Sequence, residues 1–265
     1  MVAPRRLVVL RGVVDLRAAP SDDAELVDQL HHGEGCAILE RRAGRAFVQA
    51  DDHYFGWIPE GAAAADATAH GDARVIAIPL ADVHERPDPA SPVVDRLPAG
   101  TWLPKHPRID RARVPVGGAG TGWVWLPVGW VPLDATVLYS ELPHRPPTAE
   151  DLIATARAFL GVPYLWGGTT ALGLDCSGFV QQVYRLNGIR LDRDADQQAT
   201  EGRSVDVPRA GDLIFFGAER ITHVALASGE RTCFHAPEGG VVEHVDLSRV
   251  LAKRVLGPTR RYLPG

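Results

Sequence analysis

Two stretches of the chain carry apolar residues at helical spacing. In the first, Leu152, Ile153, Ala156, Phe159 and Leu160 form one stripe, Thr148 stands at the N-cap position ahead of Asp151, and Gly161 supplies a stop. The second covers residues 179–186, opens just after Cys176 and ends at Asn187-Gly188. Short strand-like runs follow at 212–216, 223–227, 232–235, 241–245 and near 261–263. Helices first and strands afterwards predict an α+β domain.

The N-terminal half has a different texture. Brief apolar runs alternate with turn residues at Pro20-Ser21-Asp22, His32-Gly33, Ala43-Gly44 and Asp51-Asp52. That pattern predicts small all-β barrels. It also repeats. At an offset of 67, Asp15 matches Asp82, Pro20 matches Pro87, Val27-Asp28 matches Val94-Asp95, Leu30 matches Leu97 and Gly33 matches Gly100. Gly56-Trp57-Ile58-Pro59 then matches Gly129-Trp130-Val131-Pro132 at an offset of 73, the excess falling in the Gly-rich loop near 117–122. Trp57 and Trp130 read as core residues. A short linker at 62–70 and a Pro-rich boundary at 143–147 divide the chain into residues 1–66, 67–140 and 141–265.

With 265 residues, 45% of them hydrophobic and 23% charged, the chain can bury a core of ordinary size. A net charge of −5 without basic blocks argues against nucleic acid or an anionic membrane as partner. Three cysteines, Cys36, Cys176 and Cys233, are no disulfide framework. Leu7-Val8-Val9-Leu10 is too short for a secretory core, which needs about 7–15 apolar residues, and is read as a strand. A cytoplasmic location is the expectation.

The chemistry concentrates around Asp175-Cys176-Ser177-Gly178. A cysteine at a helix start lies in the positive end of the helix dipole, where its pKa is expected to fall and the thiolate to act as nucleophile. His223 opens one strand and His235 closes the next. If the hairpin turns about Gly229, the two are directly opposed on one face, and one imidazole can orient the other. Cys36 and Cys233 are read as structural. Zinc ligation by Cys176, His223, Cys233 and His235 is disfavoured because no Cys-x-x-Cys pair exists. Neither metal nor cofactor is expected.

Taken in order, Tyr164-x-Trp166-Gly167-Gly168, Asp175-Cys176-Ser177-Gly178-Phe179, Arg193-Asp194 with Gln197, Gly211-Asp212-Leu213-Ile214-Phe215-Phe216, His223-Val224 and Phe234-His235-Ala236 resemble the NlpC family of papain-like cell-wall cysteine peptidases. The two N-terminal repeats resemble bacterial SH3-like domains. The resemblance implies a papain-like catalytic domain behind two SH3-like barrels, with Cys176 as nucleophile, His223 as base, His235 as orienting residue and Tyr164 on the oxyanion. The domain order further resembles γ-D-glutamyl-L-diamino acid endopeptidases, which cut murein stem peptides bearing a free N-terminal L-alanine. On that resemblance Asp194 meets the substrate amine and Tyr54 closes the amine end. Asp175 is read as the helix cap and, with Arg193, Ser177 and Trp166, as lining the substrate pocket, where the Ser177 N–H at the helix start can meet the oxyanion or a substrate carboxylate. Ala195 replaces a serine of the family run, removing a bond worth about 1–3 kcal/mol to a charge. Gln197 and Gln198 leave the glutamine register open by one. Other readings are an amidase or acyltransferase of the same chemistry, or a wall-binding protein with a degenerate catalytic domain.

Overall fold

The computed structural model describes residues 6–65, 74–103, 109–110, 122–142 and 145–263. Residues 66–70 of the expected linker, 117–121 of the Gly-rich loop and 143–144 of the Pro-rich boundary lie outside them. The chain divides into two units, Met1–His144 and Arg145–Gly265.

The N-terminal unit is built of antiparallel strands. Its first sheet runs in the order Leu26–His31, Val13–Arg17, Phe55–Pro59, Arg45–Ala50, Gly35–Arg42, Arg6–Val9, Ala63–Ala65. Ala43 and Gly44 form a two-residue hairpin loop, both with positive φ (52° and 72°), between the paired Arg42 and Arg45. This is the twist that closes a tight hairpin best. Ala63–Ala65, expected as linker, instead pairs with Arg6–Val9 as a strand. Leu16, Leu30, Val48 and Ile58 fill the core beneath.

The repeat in the sequence is a repeat in pairing. Val13–Arg17 pairs Leu26–His31, and Leu80–His84 pairs Val93–Pro98. Arg17 meets Trp57, and its counterpart His84 meets Trp130. Arg6–Val9 pairs Ala63–Ala65 as Arg74–Ile76 pairs Thr136–Leu138. The second set has its own core of Ile76, Val83, Leu97, Val124 and Val131. Trp57 is buried under the guanidinium of Arg42, whereas Trp130 is only half-buried, beside its cross-strand partner Trp125.

In the C-terminal unit, helices α1 (Ala149–Ala158), α2 (Cys176–Leu186), α3 (Ala195–Gln198) and α4 (Leu247–Leu251) accompany a six-stranded antiparallel sheet. Its order is Arg203–Ser204, Leu256–Arg261, Leu213–Phe216, His223–Ala227, Thr232–His235, Glu243–Asp246. Thr148 and Asp151 cap α1 reciprocally, as their spacing indicates. Leu152, Ala156 and Phe159 bury that helix against Phe179, Val180 and Val183 of α2 and the sheet residues Phe215, Val224 and Leu226. Leu160 departs from the expected stripe and is 46% exposed, because the helix has already ended. The opposite sheet face is covered by Val245, Leu247 and Val250, around a fully buried Cys233. α3 and α4 are too short to show a period. The terminal strand contains Gly257 and Pro258, both strand breakers; the ladder accommodates them at an irregularity between Ile214 and Phe216.

Phe179 is fully buried and meets Phe159 edge-on at 6.5 Å. Phe179→Ala is expected to cost about 3–5 kcal/mol, and Leu160→Ala no more than about 0.5 kcal/mol. Urea unfolding of both variants checks the contrast. Equal losses would mean that α1 continues past Phe159.

Candidate active site

Cys176 is the first residue of α2, and Asp175 is its N-cap. The Asp175 carboxylate is enclosed by donors. Oδ1 accepts from Gly178 N–H at 2.6 Å, Ser177 Oγ at 3.2 Å and Arg193 Nη1 at 3.1 Å. Oδ2 accepts from Gly167 N–H at 2.9 Å and Arg193 Nη2 at 2.6 Å. Arg193 Nη1 also donates to Ser177 Oγ at 2.9 Å. Arg193 is 1% exposed, Asp175 and Ser177 6% each. These three side chains, expected to line the substrate pocket, are therefore spent on one another. They fix the turn that holds Cys176.

The glycines of the two motifs have a steric reason. A Cβ on Gly178 would lie 2.2 Å from the Gly168 carbonyl oxygen, and one on Gly168 would lie 2.4 Å from that of Gly173. Gly167 has φ +75°. The Trp166-Gly167-Gly168 loop thus lies directly on the start of α2. Tyr164, half-buried, is close enough to Cys176 and Asp175 that their charges add to the effect of burial in raising its phenol well above the ordinary range. Trp166 is 60% exposed.

The histidines meet, but not as expected. Leu226 pairs Phe234 and Ala227 pairs Cys233, so the hairpin is centred on Glu230 and not Gly229. His223 and His235 are diagonal and not directly opposed. The shift preserves the alternation of faces, and diagonal neighbours remain within reach of long side chains. His223 Nε2 lies 2.9 Å from His235 Nδ1. His235 Nε2 in turn lies 3.1 Å from Glu243 Oε1. Glu243 escaped the sequence reading; its register opposite His235 is what brings it there. Backbone N–H groups of Val224, the residue after His223, and of Ser177 are turned to the Cys176 sulfur.

The electrostatics correct the expected fall in the thiol pKa. Burial pushes the Cys176 thiol up to about 11, and the Asp175 charge adds to this; the Val224 N–H, Arg193 and the Ser177 N–H oppose it only in part. Burial, assisted by Arg254 and His235, pushes His223 down to about 2. His235 is also lowered, by burial first, with Glu243 working in the other direction. Burial thus disfavours charge on the thiol and on the imidazole alike.

Gln198, not Gln197, is the buried glutamine. Its Nε2 donates to Asp192 O at 2.8 Å and Ser177 O at 3.3 Å. Gln197 is exposed, and its Oε1 accepts from the Asp194 N–H at 3.0 Å. Asp194 is half-buried at the start of α3, and Ala195 is buried behind it. Tyr54 belongs to the N-terminal unit, where it packs partly buried against that unit's own core. Among the described residues, no group of three or more His, Cys, Asp or Glu side chains is placed to hold a metal ion, and no helix is long and apolar enough to cross a membrane.

Two outcomes follow from this geometry. Arg193→Met strands the Asp175 carboxylate in the interior and should cost about 3–5 kcal/mol in urea unfolding. Arg193→Lys should recover little, because an ammonium cannot make the fork. Separately, only the thiolate alkylates, so the rate of Cys176 modification by iodoacetamide should climb with pH until about 11. A plateau near neutrality would refute the neutral resting thiol.

Residues 161–260 match the NlpC/P60 family, and residues 16–62 match the bacterial dipeptidyl-peptidase SH3 domain. A γ-D-glutamyl-L-lysine dipeptidyl-peptidase of Bacillus subtilis (strain 168) is 42% identical over 43% of this chain. That match spans only 41% of the relative's own length. Dipeptidyl-peptidase 6 of Lysinibacillus sphaericus is 29% identical over 88% of each chain. The crystal structure of an NlpC/P60 family protein from Bacillus cereus ATCC 10987 superposes with a TM-score of 0.78 at 24% identity, covering 98% of this chain and 100% of that one. The chain thus carries an NlpC/P60 domain of papain-like fold at residues 161–260, behind a bacterial SH3-like domain at residues 16–62.

Proposed function

We propose that the protein is a cysteine peptidase that hydrolyses the γ-D-glutamyl–diamino acid bond of peptidoglycan stem peptides with a free N-terminal L-alanine. The observation that carries this reading is a thiol at the start of α2, fixed by a buried ion pair, with the N–H of Val224 turned to its sulfur and the neighbouring His223 ring engaged through Nε2 by His235 at 2.9 Å. His223 Nε2 faces His235, so Nδ1 is the nitrogen left for the thiol proton. In the reaction the Cys176 sulfur bonds to the carbonyl carbon as its proton passes to His223. The C–N bond then breaks, the proton leaves with the amine, and water hydrolyses the thioester. The Ser177 N–H and the Tyr164 hydroxyl are the donors available to the oxyanion. Asp194 takes the substrate ammonium in this reading. The names of the relatives, which specify γ-D-glutamyl-L-lysine, support the choice of bond.

The repeated pairing in the N-terminal half supports reading residues 67–140 as a second SH3-like unit after residues 1–66, with the peptidase domain at 141–265.

Mass spectrometry of L-Ala-γ-D-Glu-L-Lys and its diaminopimelate counterpart after incubation tests the proposal. Wild type should release L-Ala-γ-D-Glu, and Cys176→Ala should release none. N-acetylation of the substrate should slow release by about 10–100-fold, as loss of a hydrogen bond to a charge requires. If Cys176 is alkylated normally but neither peptide is cut, the substrate lies in another acyl class.

A further inference from the structure

We propose that Glu243 is a positioning residue that fixes the tautomers of both histidines and thereby makes His223 competent to accept the Cys176 proton. The inference rests on the catalytic reading above and extends the line of groups by one.

Glu243 stands on the edge strand Glu243–Asp246, directly across from His235 in the ladder. Its side chain is 38% exposed, while that of His235 is 8% exposed. Water thus reaches the carboxylate but hardly reaches the ring. A carboxylate only accepts hydrogen bonds. At 3.1 Å from Glu243 Oε1, His235 Nε2 must therefore carry the proton. His235 Nδ1 is then a lone pair, and the 2.9 Å contact with His223 obliges His223 Nε2 to be the donor. That leaves His223 Nδ1 without a proton and able to take one.

Without the carboxylate the pair has a second solution. His235 can donate from Nδ1 to His223 Nε2, which leaves His223 protonated on Nδ1. The contact between the rings is equally satisfied, but the base is blocked. Among the described residues, the other charged or titratable groups recorded as acting on His235 are His223, Arg254 and Arg249; the two arginines oppose positive charge on the ring, and neither accepts its Nε2 proton. Glu243 also counters them when His223 becomes imidazolium as the sulfur–carbon bond forms and the thiol proton crosses.

The test uses the full chain and long-range proton–nitrogen NMR of the histidine rings, with kcat, KM and thermal unfolding measured in parallel. Wild type should show His223 protonated on Nε2. Glu243→Ala should move that proton, in part or wholly, to Nδ1 and lower kcat by at least about 10-fold, the lower part of what a positioned base contributes, with KM changed less than twofold. Glu243→Gln, whose amide can accept or donate, should fall between the two, and Glu243→Asp should recover part of kcat. An unchanged His223 tautomer in both the alanine and glutamine variants overturns the proposal. The ring signals need no turnover, so if the tautomer shifts but wild type cleaves no peptide, the role of Glu243 stands and the substrate reading fails.

Discussion

The start of α2 depends on a buried ion pair, Asp175 with Arg193. Moving a carboxylate and a guanidinium out of water costs several kcal/mol per ion even after relaxation. Asp175 offsets this by accepting bonds from two backbone N–H groups, the Ser177 hydroxyl and both arms of Arg193. Each bond also ties down a different piece of chain. Gly167 N–H holds the loop before the helix, Gly178 N–H holds its first turn, and Arg193 brings in the segment that leads to α3. The position of Cys176 is the product of those three restraints, since the residue itself makes no strong bond.

The sheet supplies the second half of the site, with less rigid specification. His223 and His235 meet because strands alternate with period two, so any even shift of register keeps them on one side. The actual hairpin uses such a shift. Gly229 looked like its centre because glycine favours turns, but the ladder closes around Glu230, with Ser228 N–H bonded to Thr232 O. A displacement of one residue would have separated the imidazoles across the sheet.

This contrast explains what could be read from the residues. The Thr148 cap, the α2 start and the strands His223–Ala227 and Thr232–His235 are encoded locally, by caps and short apolar runs. The N-terminal repeat was legible because identical residues recur at fixed offsets and the pairing follows them. Glu243 was not legible, since its relation to His235 arises only when a separate strand adopts a register. Asp175, Ser177 and Arg193 were recognised as belonging to the site, yet whether they faced a ligand or one another depended on burial, which spacing does not report. The thiol was misjudged for the same reason. The helix start favours the anion, but withdrawal from water acts more strongly against it.

That withdrawal bears on how the protein meets oxidants. Peroxides and disulfides react with sulfur in its anionic form, and susceptibility follows thiolate character and exposure. Cys176 is 9% exposed, and burial pushes its thiol up to about 11. Its sulfur is shielded from both directions until a partner in the pocket draws the proton to His223, so chemical durability between encounters is built into the same burial that delays ionisation.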